Sequence, residues 1–276
     1  MNRTDIRQTL DEESIRLTKS LGQNLLHDQN VLRRIVKAAD IQPDDEVLEV
    51  GPGLGALTGF LLPKAKNLLA IEKDRRLAEH LRHRFEDIPH FKLLHQDALE
   101  HFKNQDTDWA HWKFVSNLPY SVASPLLVDL ALMPHGPLQL VVTLQHEVAR
   151  RICANPGTKE YGRLTLLIQF NYVPDSMFKI SPHCFFPEPR VDSACLSLRR
   201  RDKPILPHNL QKTYTTLIKR AFSQRRKMMR KNLRGTWPDE QIDGAMTAAK
   251  LDGTIRAERV TLEQFALLAE ALNEST

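Results

Sequence analysis

Five short apolar runs at 46–50, 67–71, 91–94, 113–116 and 138–144, most of them followed by a turn and a helix-period segment, constrain this chain more than any other feature. The intervening segments at 56–62, 75–85 and 125–132 carry helical patterning, and Pro63 stops the first. A further helix is predicted over 31–39. Val31, Leu32, Ile35, Val36 and Ala39 repeat there at helical spacing, and Asp28 stands ready as the cap. Strands alternating with helices at this spacing form a mostly parallel sheet covered on both faces, an α/β architecture. Such sheets bind ligands outside the carboxyl ends of their strands. The residues that follow each run are therefore the ones to read for chemistry.

The first strand end reads Glu49-Val50-Gly51-Pro52-Gly53-Leu54-Gly55. Glycines at a strand-to-helix turn let the backbone approach a ligand closely, and the next helix offers free N–H groups. The spacing is G-x-G-x-G rather than the G-x-G-x-x-G of dinucleotide sites. Glu49, two residues before Gly51, suits a cationic amino-acid tail better than a pyrophosphate. Taken alone, this loop is as easily a tight structural turn. Two acids sharpen the reading. Glu72 follows the second run, where an acid can accept both ribose hydroxyls, and Asp97 follows the third, where it can accept an adenine amino group. Either alone is usually a surface charge or a cap. All three in order point to S-adenosylmethionine, with Gly51, Gly53, Glu72 and Asp97 as its contacts.

Asn117-Leu118-Pro119-Tyr120 follows the fourth run. An adenine amino group is a poor nucleophile because its lone pair is delocalised into the ring. Accepting hydrogen bonds from both of its N–H groups draws the nitrogen toward tetrahedral geometry. The Asn117 side-chain oxygen and the Leu118 carbonyl are suitable acceptors, since Pro119 holds the preceding backbone extended. Tyr120 offers a flat face for the base. The sulfonium is already activated, so neither a metal nor a general base is required; orientation and electrostatics do the work. The base must be unpaired or flipped to reach such a site. Phe185 and Phe186 are candidates for the opposite face of a clamp, with core packing as the competing role for either.

Charge separates the two ends of the chain. Net charge is +5, yet residues 199–234 hold 13 Lys or Arg against the single acid Asp202. A basic block on an acidic remainder implies a polyanionic partner met mainly by one part of the molecule. The alternative is a solvated helix face. Past 200 the pattern turns helical, at 206–221, 223–233, 238–249 and 261–272, after a Pro-containing linker. Three domains of unequal size are expected: a flexible tail over 1–20, a catalytic domain over 21–203 and a helical domain over 204–276. No apolar run approaches a membrane span. The three scattered cysteines form neither a disulfide framework nor a zinc motif, which places the chain in a reducing cytoplasm. A monomer is the default.

These residues resemble the KsgA (also called RsmA) dimethyladenosine transferases of small-subunit rRNA. The likeness runs through Leu21-Gly22-Gln23-Asn24-Leu25-Leu26, 49–58, Ile71-Glu72-Lys73-Asp74, Gln96-Asp97-Ala98-Leu99 and 117–122. It continues through Leu144-Gln145-His146-Glu147-Val148-Ala149-Arg150-Arg151, and then through its two most discriminating stretches. Those are Phe186-Pro187-Glu188-Pro189-Arg190-Val191-Asp192-Ser193-Ala194 and Ala221-Phe222-Ser223-Gln224-Arg225-Arg226-Lys227. The resemblance implies a Rossmann-like catalytic domain in which Asn24, Leu26, Gly51, Glu72, Asp97 and Asn117 contact S-adenosylmethionine. It implies dimethylation of two adjacent adenosines in a hairpin near the 3′ end of 16S rRNA, within an immature small subunit. Arg225, Arg226, Lys227, Arg230 and Lys231 then bind phosphates on the docking element. Leu25 replaces the usual phenylalanine and Ser121 a common asparagine, which bears on pocket detail only. Two alternatives are weighed: the related Erm enzymes of large-subunit rRNA, and a non-catalytic assembly factor on the same fold.

Overall fold

A computed structural model describes residues 2–18, 22–104 and 107–273. The strands are β1 (Leu25–Leu26), β2 (Glu46–Val50), β3 (Asn67–Glu72), β4 (Phe91–His95), β5 (Trp112–Asn117), β6 (Gln139–Gln145), β7 (Tyr172–Ile180), β8 (Phe185–Phe186) and β9 (Ser193–Arg200). Seven of them form one sheet in the order β4-β3-β2-β5-β6-β9-β7. β2 through β6 run parallel to their neighbours, and β9 lies antiparallel to β6. β1 and β8 make a separate antiparallel pair. The sequence patterning therefore located the parallel strands to within a residue or two, as expected for mainly apolar runs flanked by turn residues.

The helices are α1 (Arg3–Glu12), α2 (Gln29–Ala39), α3 (Thr58–Leu61), α4 (Arg75–Arg84), α5 (Ala98–Asn104), α6 (Tyr120–Leu132), α7 (His146–Ile152), α8 (Arg163–Gln169), α9 (Gln211–Ala221), α10 (Met229–Leu233), α11 (Asp239–Ala248) and α12 (Leu262–Asn273). Asp28 caps α2 as predicted, its carboxylate accepting the Asn30 and Val31 N–H groups at 2.9 Å each. That helix buries Leu32, Ile35 and Val36 against Val47, Val115 and Val141 of the sheet. α6 begins at Tyr120, five residues before the expected start. Pro125 lies inside it, within the second turn, where the missing N–H removes one bond near the helix end.

The chain divides into two compact units, the first from residues 1–149 and 174–200, the second from 150–173 and 201–276. The expected boundary at 203 thus needs one amendment, because 150–173 joins the helical part. The reason is in the side chains. The Tyr214 hydroxyl donates to the Leu166 carbonyl at 3.0 Å, the Tyr161 hydroxyl donates to Val260 at 2.8 Å, and Phe170 packs on Tyr214 at 4.8 Å between ring centroids.

The N-terminal segment is not a tail over its described part. Asn2 and Asp5 form a reciprocal capping box at the start of α1. Ile6, Leu10 and Ile15 are buried with Leu25, Leu54 and Leu77 in a small apolar cluster. That burial is what holds the segment down. Residues 1, 19 and 20 of the expected tail, and Leu21 of the next motif, lie outside the described residues. Among the described residues, no helix is long and apolar enough to cross a membrane.

Candidate functional site

The carboxyl ends of β2, β3, β4 and β5 surround one cavity of about 300 Å³, within the range of small-molecule sites. Asn24, Leu26, Gly51, Gly53, Glu72, Asp97 and Asn117 all line it. The glycines have a reason beyond ligand access. Gly51 sits at φ +67°, and a Cβ there would meet Pro119 at 3.2 Å; Gly53 sits at φ +63°, and a Cβ would meet Leu25 at 2.6 Å. The glycine loop is thus fitted directly against Asn117-Leu118-Pro119-Tyr120 on one side and β1 on the other. Ile6 of α1 also lines the cavity, a contribution that the sequence patterning did not reveal.

Two buried carboxyls dominate the electrostatics. Glu49 is 1% exposed and accepts the Thr58 hydroxyl at 2.7 Å. Burial pushes its carboxyl up to about 8, with the neighbouring Glu72 adding in the same direction and the Thr58 bond opposing. Burial thus favours its protonated form at neutral pH. A cation placed beside it favours ionisation. Glu72 is pushed up to about 7, again chiefly by burial. Its two oxygens accept the Gly53 N–H at 3.2 Å and the Asp74 N–H at 2.9 Å. Each carboxylate oxygen keeps a further lone pair for a hydroxyl donor.

Asp97 behaves oppositely. Lys73 contacts its Oδ2 at 2.6 Å and the Leu99 N–H donates to Oδ1 at 2.9 Å, and the Lys73 ammonium above all holds it below the usual carboxylate range. It remains a charged acceptor at the cavity wall, with Lys73 as a partner that the sequence reading missed. The cavity therefore offers an acceptor pair at Glu72, a charged acceptor at Asp97 and a backbone loop between them. These acceptors fit S-adenosylmethionine, whose ribose hydroxyls, adenine amine and ammonium are donors.

Asn117 ends β5, and its Nδ2 donates to the Asn24 carbonyl at 3.0 Å. A carboxamide has two distinct ends, so fixing Nδ2 there leaves Oδ1 as the end that accepts. Asn24 thus supports the site through its backbone carbonyl, which no side-chain pattern can announce. The Leu118 N–H donates to Thr143 at 3.2 Å, and among the described residues its carbonyl receives no hydrogen bond. Tyr120 is half-buried with its hydroxyl 2.5 Å from Ser193 Oγ, and burial pushes its phenol up, so it stays neutral.

The two phenylalanines part company. Phe185 is completely buried in the main core, and that burial excludes it as a stacking surface for a base. Phe186, one residue on, points to the other side of β8 and is half-buried. The guanidinium groups of Arg3 and Arg7 lie 5.8 and 5.3 Å from its ring centroid.

The basic block also resolves differently from its charge count. Residues 225–227 lie in a turn, since the helix expected over 223–233 spans only Met229–Leu233. Arg225, though exposed, is held by Glu258 at 3.0 Å and by the carbonyls of Lys159 and Tyr161. Arg230 is bidentate on Asp243 at 2.6 and 2.7 Å, and Arg234 pairs with Asp239 at 3.0 Å. The acids missing from the block in sequence are supplied in space. Arg226, Lys227 and Lys231 are exposed and have no ion pair among the described residues.

Comparison with known proteins agrees with this geometry. The family model for ribosomal RNA adenine dimethylase matches residues 15–274. A ribosomal RNA small subunit methyltransferase A of Clostridium acetobutylicum is 36% identical over 274 residues, covering 99% of both chains. A solved dimethyladenosine transferase from Plasmodium falciparum superposes with TM-score 0.75 at 25% identity, covering 91% of this chain and 98% of that one. The solved 23S rRNA methyltransferase ErmE gives TM-score 0.68 at 29% identity, covering 91% and 100%.

Proposed function

The chain belongs to the ribosomal RNA adenine dimethylase family, and on that premise we propose how its site works and on which RNA. It is an S-adenosylmethionine-dependent rRNA adenine methyltransferase with a Rossmann-like catalytic fold. Its substrate is a pair of adjacent adenosines in a hairpin near the 3′ end of 16S rRNA, each dimethylated at N6 within an immature small subunit.

S-adenosylmethionine supplies a methyl group already activated by the sulfonium. The residues of this chain do the rest. Glu72 and Asp97 accept its donors, Glu49 faces its cationic end, and the Gly51–Gly53 backbone, Leu26 and Asn24 form the walls. Asn117 Oδ1 and the Leu118 carbonyl accept the two N–H groups of the target amine and orient its lone pair. Pro119 keeps the Leu118 carbonyl in place, and Tyr120 supports the face of the base, with Phe186 on the other side. The observation that carries this reading is the Asn117 Nδ2 bond to the Asn24 carbonyl, because it determines which end of Asn117 accepts. Phosphate contacts fall to Arg226, Lys227 and Lys231, with Arg225 and Arg230 shaping the turn that presents them.

The test is direct. The protein is incubated with radiolabelled S-adenosylmethionine and unmethylated small subunits, large subunits, naked 16S rRNA or duplex DNA, and the modified nucleoside is identified. Dimethyladenosine in small subunits is the expected result. Label confined to large subunits would move the protein to the Erm-type reaction, and no label anywhere would favour an assembly factor.

A further inference from the structure

Ser193 is the first residue of β9 and is completely buried. Its hydroxyl has one partner among the described residues, the Tyr120 hydroxyl at 2.5 Å. The two come from stretches 73 residues apart, and the fold explains why they meet. β9 lies antiparallel to β6 with Ser193 opposite Gln145, at the carboxyl end of the sheet. β5 lies on the other side of β6 with Asn117 opposite Thr143, two residues back along the same strand. Ser193 and Asn117 thus flank one strand end from opposite sides.

Tyr120 is held at both ends by this arrangement. Its backbone begins α6, where Pro119 fixes the approach, and its hydroxyl is tied to β9. A tyrosine ring without the second tie rotates about two side-chain torsions and offers its face in several orientations. The pairing also satisfies the Ser193 hydroxyl, which its complete burial would otherwise leave without a partner. Phe186-Pro187-Glu188-Pro189-Arg190-Val191-Asp192-Ser193-Ala194 then has a role at the adenine site as well as in packing. The Asp192 carbonyl accepts the His146 N–H at 2.9 Å and locks the turn from which Ser193 emerges.

We propose that Ser193 is a positioning residue for methyl transfer, holding the Tyr120 ring at the angle that supports the target base. The proposal rests on the reading of Tyr120 as the base platform. It assigns Ser193 no contact with the base or with S-adenosylmethionine; Ser193 acts through Tyr120 alone.

The experiment uses Ser193→Ala, Ser193→Thr, Tyr120→Phe, the Ser193→Ala/Tyr120→Phe double variant and Tyr120→Ala. All are assayed on unmethylated small subunits, with S-adenosylmethionine affinity and thermal melting measured alongside. Ser193→Ala is expected to lower kcat about tenfold, the scale of one hydrogen bond, and to leave the KM for small subunits and the affinity for S-adenosylmethionine unchanged. Ser193→Thr, which restores the hydroxyl, recovers the rate. Tyr120→Phe breaks the same bond from the other side, so it carries the test even if Ser193→Ala fails to fold. The double variant is no slower than the slower single variant, because all three lack one shared interaction. Wild-type kcat in Ser193→Ala with only a lower melting temperature would overturn the proposal, as would losses that multiply in the double variant. Tyr120→Ala separates the two readings. If it is inactive while Ser193→Ala is fully active, only the positioning role is wrong; if it is fully active, the base platform itself is misassigned.

Discussion

Two buried acids of the first unit and three paired acids of the second are treated in opposite ways. In the first, Glu49 and Glu72 are buried without a cation and their carboxyls rise to about 8 and about 7. In the second, Glu258, Asp239 and Asp243 are already matched to Arg225, Arg234 and Arg230, and Asp243 is held low by Arg230. Unmatched buried acids form a site that awaits donors from outside. Matched exposed acids form a scaffold that is complete in itself. The difference shows why a motif at a strand end is informative while a charge count is not. A strand end has an address within the sheet, whereas a basic residue acquires its role only when its neighbours in space are known.

The largest effect that could break this contrast is at Asn117. Asn117→Ala removes the acceptor without disturbing the basic turn, so kcat should fall by about 10²–10³, as for the loss of one oriented catalytic hydrogen bond. Small-subunit affinity should stay within twofold or so, since docking is a separate matter. Rapid-quench measurement of methyl transfer reads the first and filter binding the second. Surviving turnover would mean that the site acts through some other acceptor.

Glu49 tests the acid contrast itself. Its proton is held in the folded state up to about 8 and released in the unfolded state near 4.5. Between those values the folded chain binds more protons, so stability falls as pH rises and levels off above about 8. Glu49→Gln cannot ionise and should flatten much of that slope. Thermal melts between pH 5 and 9 decide the matter, and an unchanged slope would show that Glu49 does not carry it. Asp243, lowered by its arginine, has the opposite sign: whatever stability it lends is lost only as pH falls below the ordinary carboxylate range.

Much of the site was legible because parallel strands announce themselves. Each run is mainly apolar and is followed within a few residues by a position at the cavity, so Glu72, Asp97 and Asn117 were found by position alone. The rest depended on partners distant in the chain. β1 has only two residues and no periodicity; it exists because Leu25 and Leu26 pair with Phe186 and Phe185. Asn24, which precedes it, came from resemblance, and its role through a backbone carbonyl had no side-chain signature. Ile6 carried no signal, and Lys73 and Ser193 stood within stretches of the resemblance without a task of their own, since a lysine or a serine is unremarkable until a neighbour gives it one. The helix expected over 223–233 failed for a related reason. Its residues favour helix, but Arg225 reaches Glu258 and two carbonyls, and those bonds favour a turn over local propensity.

Docking offers a moderate effect that sharpens the contrast. Replacing Arg226, Lys227 and Lys231 together by alanine removes cations that have no internal partner. Small-subunit affinity should drop about tenfold or more at physiological salt, and the slope of log affinity against log salt should become shallower by about 2. A salt titration of binding is the measurement. An unchanged slope would make these residues an ordinary solvated surface.

The smallest expected effect on binding is the most discriminating, because it concerns residues adjacent in sequence to the last three. Arg225→Ala and Arg230→Ala remove as much formal charge per residue as Arg226→Ala does. If charge count governed docking, all would weaken binding alike. Here the guanidinium groups of Arg225 and Arg230 already face Glu258 and Asp243, so their net field at a phosphate is largely cancelled. Removing them also exposes a carboxylate, which repels RNA only weakly at physiological salt because the groups are solvated and screened. The salt slope should therefore hardly change, while melting of the helical unit should shift down as the turn at 225–227 loses its anchors. Arg225→Lys makes the distinction finer. It keeps the charge but cannot serve Glu258 and two carbonyls with one planar fork, so melting should drop although docking electrostatics are intact. A steep loss of affinity in Arg225→Ala without loss of stability would show that Arg225 leaves its internal partners on docking, and would return it to the phosphate-binding set.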